Sequence, residues 1–268
     1  MASTTLNSRP TTLYQHTNDD GLIHIIQTAS MRSLYFGNDT KQSEVDMLMP
    51  HRLALRYTQA MMSALLFNPS PQQVLMIGLG AGSMVHFLWH YFPDVHIDAV
   101  EQRADVAHLA VTYFALPIDT RINIIINDGL NFLQETDKQY DLILVDAFTH
   151  EGIATDVQER MFFAACQRRL TPEAILSVNL WDHPSQKYMH TLANIHTIFQ
   201  QQTLSLEVED RGNVVILASN SKLPKQLKSL QPRAKILSDQ LDLNFLKHLR
   251  HLKSPGYLFR LLTWAHST

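Results

Sequence analysis

VLMIGLGAGSMVHFLWHY, residues 74–91, is the stretch on which the fold turns. Apolar residues from Val74 to Leu79 read as a buried strand, and helical spacing of apolar residues resumes over Ser83–Tyr91. Between them Gly78, Gly80 and Gly82 let the backbone turn sharply and approach a ligand, and the helix that follows offers unpaired N–H groups at its start. The spacing is G-x-G-x-G and not the full dinucleotide pattern G-x-G-x-x-G, so taken alone it reads equally as a packing device.

Outward from this turn, short apolar runs at His96–Val100, Ile122–Ile126, Leu142–Val145 and Ile175–Leu180 alternate with amphipathic segments at Ala104–Phe114, Val157–Leu170 and Gln186–Gln200. Strands alternating with helices predict right-handed crossovers and a parallel sheet covered on both faces, a doubly wound α/β domain. The end breaks that rhythm. Leu204–Glu209 and Val214–Ala218 are joined only by Asp210-Arg211-Gly212-Asn213, which predicts an antiparallel C-terminal hairpin. Such an ending suits a methyltransferase-like Rossmann sheet, and the second mononucleotide-binding half that NAD needs is not apparent.

Before the turn, Leu22–Thr28 and Met31–Phe36 are rich in β-branched and aromatic residues and lead into Gly37-Asn38-Asp39, so a small antiparallel N-terminal β region is expected after a loose polar start. Leu53–Phe67 has helical spacing and ends at Asn68-Pro69-Ser70-Pro71. Leu230–Leu252 mixes Leu with Lys and Arg as one or two amphipathic helices do. The expected division is a β-rich region with a linking helix (1–68), a nucleoside-binding domain (69–220) and a basic helical tail (221–268).

Composition narrows the class. With 268 residues, 45% hydrophobic, 18% charged, 11 Pro and 9 Gly, the chain fits neither disordered, collagen-like nor coiled-coil classes. A net charge of −3 gives no reason to expect nucleic acid or an anionic membrane. It is unevenly spread: Ser221–Thr268 holds nine Lys/Arg against two Asp/Glu, leaving a net −10 on the rest, which suits cationic small molecules. The single cysteine, Cys166, excludes an intramolecular disulfide and a multi-cysteine zinc site and points to a reducing cytoplasm. Met1–Pro10 lacks a signal-peptide core and no run reaches about 18 apolar residues, so no membrane span is expected.

The candidate site lies at the strand ends, which in such a sheet converge on one crevice. Gly78–Ser83 ends the first strand, Glu101 the second and Asp128-Gly129 the third. An acid about 20 residues beyond the glycines accepts hydrogen bonds from both hydroxyls of a ribose, and a carboxylate beside a backbone N–H reaches an adenine edge. Each acid singly reads equally as a helix cap; together, at successive strand ends, they point to an adenine nucleoside. The fourth strand, Tyr140–Val145, ends in Asp146, a carboxylate that would orient a cationic amine and take its proton as nitrogen attacks carbon. A cap or loop role is the alternative for Asp146.

This ordered set, extended by Gln42-Ser43, Arg56-Tyr57-Thr58, Asn68–Pro71, Gly152-Ile153 and Ser177–Leu180, resembles the spermidine synthase (polyamine aminopropyltransferase) family, in particular its bacterial spermidine-synthase-like branch. The resemblance covers Leu34–Leu180. It implies an N-terminal β domain, a methyltransferase-like Rossmann domain, a homodimer or larger oligomer, and no metal. It implies transfer of an aminopropyl group from decarboxylated S-adenosylmethionine, a co-substrate and not a tightly held cofactor, to a small amine such as putrescine. Gln42, Glu101 and Asp128 would then hold the nucleoside with Gly78, Gly80, Gly82 and Gly129; Asp146 would be the base; and Tyr57, with Thr149 and Glu151, would line the acceptor pocket.

Three positions depart from the family pattern. Ala81 stands where the glycine turn usually carries an acid, Thr149 where a second acid follows the base, and Thr58 where a histidine follows the pocket tyrosine. Glu151 and Asp156 would supply the missing charge, although Asp156 reads equally as a helix start. Each lost charge-assisted contact is worth about 1.5–3 kcal/mol. Two alternatives therefore stay open: an S-adenosylmethionine-dependent methyltransferase and a non-catalytic nucleoside-binding scaffold.

Other residues read as structural. His86 and His90, and His248 and His251, have helical spacing but no cysteine or acid to complete a metal site. Trp181, before Asp182-His183, either covers the crevice or packs the next helix, and packing is the expectation. Cys166 is expected to fill the core.

Overall fold

The computed structural model describes residues 9–37, 40–149, 152–153, 159–182, 185–209 and 212–254. Four strands, β1 (Thr11–Asn18), β2 (Gly21–Thr28), β3 (Met31–Phe36) and β4 (Thr40–Asp46), pair in sequence order as an antiparallel meander. β1 corrects the expectation of a loose start. TTLYQHTN is exposed at most positions, so no buried face marks it in the sequence; backbone pairing from Thr11↔Gln27 to Asn18↔Gly21 holds it. β4 is also mostly polar, and its register on β3 passes from Tyr35↔Lys41 to Leu34↔Ser43, leaving Gln42 as the extra residue of a bulge.

The segment Leu53–Phe67 forms a shorter α-helix than its spacing predicts. Leu53 bridges Val45, α1 covers Arg56–Met61, and Met62–Leu66 tightens into a 3-10 turn with every residue buried. The chain then builds β5 (Gln73–Ile77), α2 (Ser83–Tyr91), β6 (His96–Glu101), α3 (Ala104–Phe114), β7 (Ile122–Ile126), α4 (Gly129–Glu135) and β8 (Tyr140–Val145). β9 (Phe148–Thr149) and β10 (Gly152–Ile153) pair with each other beyond β8. α5 (Arg160–Arg169), β11 (Leu170–Trp181), α6 (Ser185–Ile198), β12 (Thr203–Glu207) and β13 (Asn213–Ser219) complete the alternation. α2 and α3 have the bounds their periodicity predicts, whereas α4, seven residues opening on glycine, is too short to show a period.

The main sheet has the order β12-β13-β11-β8-β5-β6-β7 and is parallel except for β13, which runs against both of its neighbours. Alternate strand residues feed two cores. On one face Val74, Met76, Leu142, Leu144 and Val215 pack with α2; on the other Leu75, Ile77, Ile143, Val145 and Val178 pack with α5 and α6. The basic segment supplies α7 (Gln231–Leu241) and α8 (Phe245–His251), whose Leu237, Leu241, Phe245 and Leu249 join the first core. A third cluster joins Ile23, Ile25, Leu34, Phe36 and Val45 of the N-terminal sheet to Val106, Leu109 and Phe114 of α3. No described helix is long and apolar enough to cross a membrane.

Candidate active site

Register sets the strand tips level. Ile77 of β5 lies opposite Val100 of β6 and Val145 of β8, and Val145 lies opposite Val178 of β11. Gly78, Glu101, Asp146 and Asn179, each one residue further on, therefore emerge along one edge. Chain order reverses between β5 and β8, the place where open α/β sheets bind their ligands.

Gly78 makes this junction possible. Its φ is +89°, and a Cβ there would sit 2.2 Å from the backbone oxygen of Asp146. The Asp146 N–H donates to the Ile77 carbonyl at 2.8 Å, so the glycine turn and the strand carrying the carboxylate are tied together. Gly80 faces Ser43 of β4, Gly82 precedes α2, and Gly129 packs on Ile77. The turn is thus braced from three sides.

Glu101 holds that turn from within. Its Oε2 accepts from the Leu79 N–H at 3.0 Å and its Oε1 from the Arg103 N–H at 2.9 Å. Burial pushes its pKa up against these two backbone bonds and a third from the Gly80 N–H. Asp128 is the N-cap of α4, its Oδ1 accepting from the N–H groups of Leu130 and Asn131 at 2.9 Å each. The cap role is therefore present, and only one of its two oxygens is used among the described hydrogen bonds.

Asp146 sits between two hydrogen-bonding neighbours. Its Oδ1 accepts from Asn179 Nδ2 at 2.9 Å, and the Tyr57 hydroxyl also bonds to it. Burial raises its pKa to about 6 against both bonds. It caps no helix, because the chain continues into β9. The Tyr57 hydroxyl also reaches the Gln42 carbonyl at 3.1 Å, so the β4 bulge, α1 and the tip of β8 meet here. Gln42 takes part through its backbone. Thr149 lies in β9, opposite Gly152; its side chain, and the whole of Glu151 and Asp156, lie outside the described residues.

Position 81 faces away from polar chemistry. Ala81 is fully buried and belongs to the apolar cluster shared by the N-terminal sheet and α3. Thr58 is buried as well, and its hydroxyl donates to the Leu55 carbonyl at 2.8 Å.

The structure adds residues that the sequence argument passed over. Asn213 Nδ2 donates to Asn179 Oδ1 at 3.0 Å, extending the polar row from β8 across β11 to β13. An asparagine at the end of an apolar strand was the available signal for Asn179; Asn213 is hidden because it reads as a turn residue. Trp181 pairs with Asn213, lies two residues beyond Asn179 on the same face of β11 and is 37% exposed. His86 bonds to the Phe114 carbonyl and His90 stacks on His51. Cys166 is buried and its thiol is pushed up in pKa.

A parallel sheet with one reversed strand, a glycine turn at the switch point and acids on adjoining tips define a methyltransferase-like Rossmann fold with an acid-lined crevice. Residues 55–206 match the spermine/spermidine synthase domain. A polyamine aminopropyltransferase of Neisseria meningitidis is 33% identical over 237 residues, covering 87% of this chain and 90% of that protein. The chain belongs to the spermine/spermidine synthase family. Among solved structures, spermidine synthase from Thermotoga maritima shares the fold with a TM-score of 0.75 at 17% identity, over 94% of this chain and 88% of that one. Human methyltransferase-like protein 13, solved with SAH, aligns with a TM-score of 0.61 at 22% identity over 74% and 93%.

Proposed function

We propose that the chain transfers an aminopropyl group from decarboxylated S-adenosylmethionine to a polyamine acceptor such as putrescine. The observation that carries the mechanism is Asp146: a carboxyl at the switch point, held between Tyr57 and Asn179, with a pKa raised by burial to about 6. A base of that strength is ionised at neutral pH yet still takes up a proton. An acceptor ammonium pairs with it and passes over a proton. The freed nitrogen lone pair attacks the methylene next to the sulfonium, the C–S bond breaks, and its electron pair stays on sulfur, leaving methylthioadenosine. Alignment of nitrogen, carbon and sulfur is the main contribution of the site.

On this reading Glu101 meets the ribose hydroxyls, and the oxygen of Asp128 that the α4 cap leaves unused faces the adenine. The glycine turn lets the sulfonium approach the backbone, and Tyr57 walls the acceptor side. Thr149 and Glu151 are assigned to the acceptor loop and Gln42 to the donor rim. The protein acts as a cytoplasmic homodimer, which sedimentation of the purified chain checks.

The apolar setting of Ala81 favours a second reading, methyl transfer from ordinary S-adenosylmethionine, because no acid at that position selects against a donor carboxylate. One assay separates the two. Purified protein is given putrescine with either donor and the nucleoside product is identified: methylthioadenosine from the decarboxylated donor supports aminopropyl transfer. S-adenosylhomocysteine from the ordinary donor overturns it, and binding without product supports a scaffold.

A further inference from the structure

Three side chains from adjacent strands form a polar row: Asn213 of β13 donates to Asn179 of β11 at 3.0 Å, and Asn179 donates to Asp146 beyond β8 at 2.9 Å. The two asparagines are 6% and 3% exposed, in a position where the flanking strand residues are apolar. The ends of an amide have nearly the same shape and opposite polarity: the NH2 donates and the oxygen accepts. An NH2 aimed at Asp146 stabilises the carboxylate, whereas an amide oxygen aimed at it stabilises only the protonated acid. Which end is presented depends on the second partner of Asn179. Because Asn213 donates to its oxygen, the NH2 is left for Asp146. With Asn213 as it stands, turning Asn179 over would set two buried NH2 groups against each other and an oxygen against the carboxylate, a loss on both sides.

We propose that Asn213 is a positioning residue: by fixing which end of the Asn179 amide meets Asp146, it sets the readiness of that carboxyl to give up its proton. This goes beyond the aminopropyl reading and rests on it only for the statement that Asp146 is the base. Among the described residues the ionisable group that bonds to Asp146 is Tyr57 of α1; its neighbours from β11 and the glycine turn, Asn179 and Gly78, are neutral. Among the described residues the row reaches no further than Asn213, two strands away from the carboxyl, so its proposed action on Asp146 runs through Asn179.

Asn213→Asp tests the polarity directly, since aspartate keeps the shape of asparagine but accepts and does not donate. It would take the NH2 of Asn179 and turn the amide oxygen onto Asp146. The readouts are the Asp146 carboxyl titration by 13C NMR in the free protein and the pH profile of kcat/KM. The expected result is an Asp146 midpoint raised by about one pH unit or more, with the acid limb of activity moving alongside and the KM for the adenosyl donor within about twofold. In an Asn179→Ala background the same substitution is expected to shift the midpoint by less than half as much. An unmoved midpoint, or an equal shift with and without Asn179, overturns the relay, the latter because a through-space charge would account for it. If Asn213→Asp does not fold, Asn213→Ala gives the same test with a smaller upward shift, and no shift again overturns it. The NMR titration needs no turnover, so a wild-type protein that makes no methylthioadenosine would defeat the aminopropyl reading without deciding this one.

Discussion

Asp146 is placed where function and stability pull against each other. Its folded-state pKa of about 6 lies above the ordinary value of 3.8, so the unfolded chain releases this proton first as pH rises. Its contribution to stability is present below about 3.8 and is lost as pH climbs to about 6. Asp146→Asn removes that loss and is expected to gain about 1–2 kcal/mol at pH 7–8, a discounted figure because the carboxyl keeps some solvent contact. The same substitution is expected to lower kcat by about 10²–10⁴ and to erase the acid limb of kcat/KM, whose wild-type midpoint is expected at about 6. Urea melts and steady-state rates on the two proteins check both halves. A variant that loses stability, or keeps its turnover, removes Asp146 from the role of a buried base. An apolar strand ending in Asp is a local pattern, so sequence locates Asp146 at the strand tip, but its partner Asn179 lies 33 residues further on and Asn213, which bonds to Asn179, another 34.

The glycine turn, as an element, depends on one position more than the others. At Gly78 a methyl group would meet the Asp146 backbone at 2.2 Å with φ at +89°, whereas at Gly80 the nearest atom is the Ser43 side-chain Cβ at 3.3 Å. Gly78→Ala must therefore push β5 and β8 apart and is expected to cost more than about 3 kcal/mol, with turnover lost along with the placement of Asp146. Gly80→Ala, which meets a small side chain, is expected to cost about 1–2 kcal/mol and to act mainly on donor binding. Thermal melts and donor titrations on the pair rank them, and equal effects would count against the junction. Helix α8 offers a second element-level test. Burial holds His248 down at about 4, below the ordinary 6.5, so the unfolded chain binds its proton first and stability falls as pH drops from about 6.5 to about 4. His248→Gln is expected to flatten this loss, by about 2–3 kcal/mol between pH 7 and pH 4, in urea melts at the two pH values. Elements with a buried stripe, such as α2 and α3, were legible from periodicity. β1 was not, because ladder hydrogen bonds hold a strand whose side chains stay largely in water, and β4 was not, because its residues are mostly polar although Ser43 and Val45 are buried.

On the scale of the whole molecule, the basic segment is the part whose meaning changes most between sequence and structure. Its charge excess reads as a solvated tail, and its lysines and arginines do lie mostly at the surface, but Leu230, Leu237, Leu241, Leu243, Phe245 and Leu249 are buried in the same core as β5 and β8. Charge is a property of one helix face and packing of the other, so net charge could not reveal which surface these helices cover. The N-terminal sheet shows the converse: Ala81, read from the family pattern as a missing acid, lies in the apolar joint between that sheet and α3. The N-terminal sheet is thus joined to α3, and α7 and α8 to the core on β5 and β8. Phe245→Ala, in a side chain that is fully buried, is expected to cost about 3–5 kcal/mol. A chain ending at Ser219 would expose the whole apolar face that α7 and α8 cover, in a protein class stable by only about 5–15 kcal/mol. It is expected to yield no soluble cooperative unfolder, judged by size exclusion and calorimetry. A truncated chain that melts cooperatively and still binds an adenosyl compound would show that the basic helices are an accessory to the sheet.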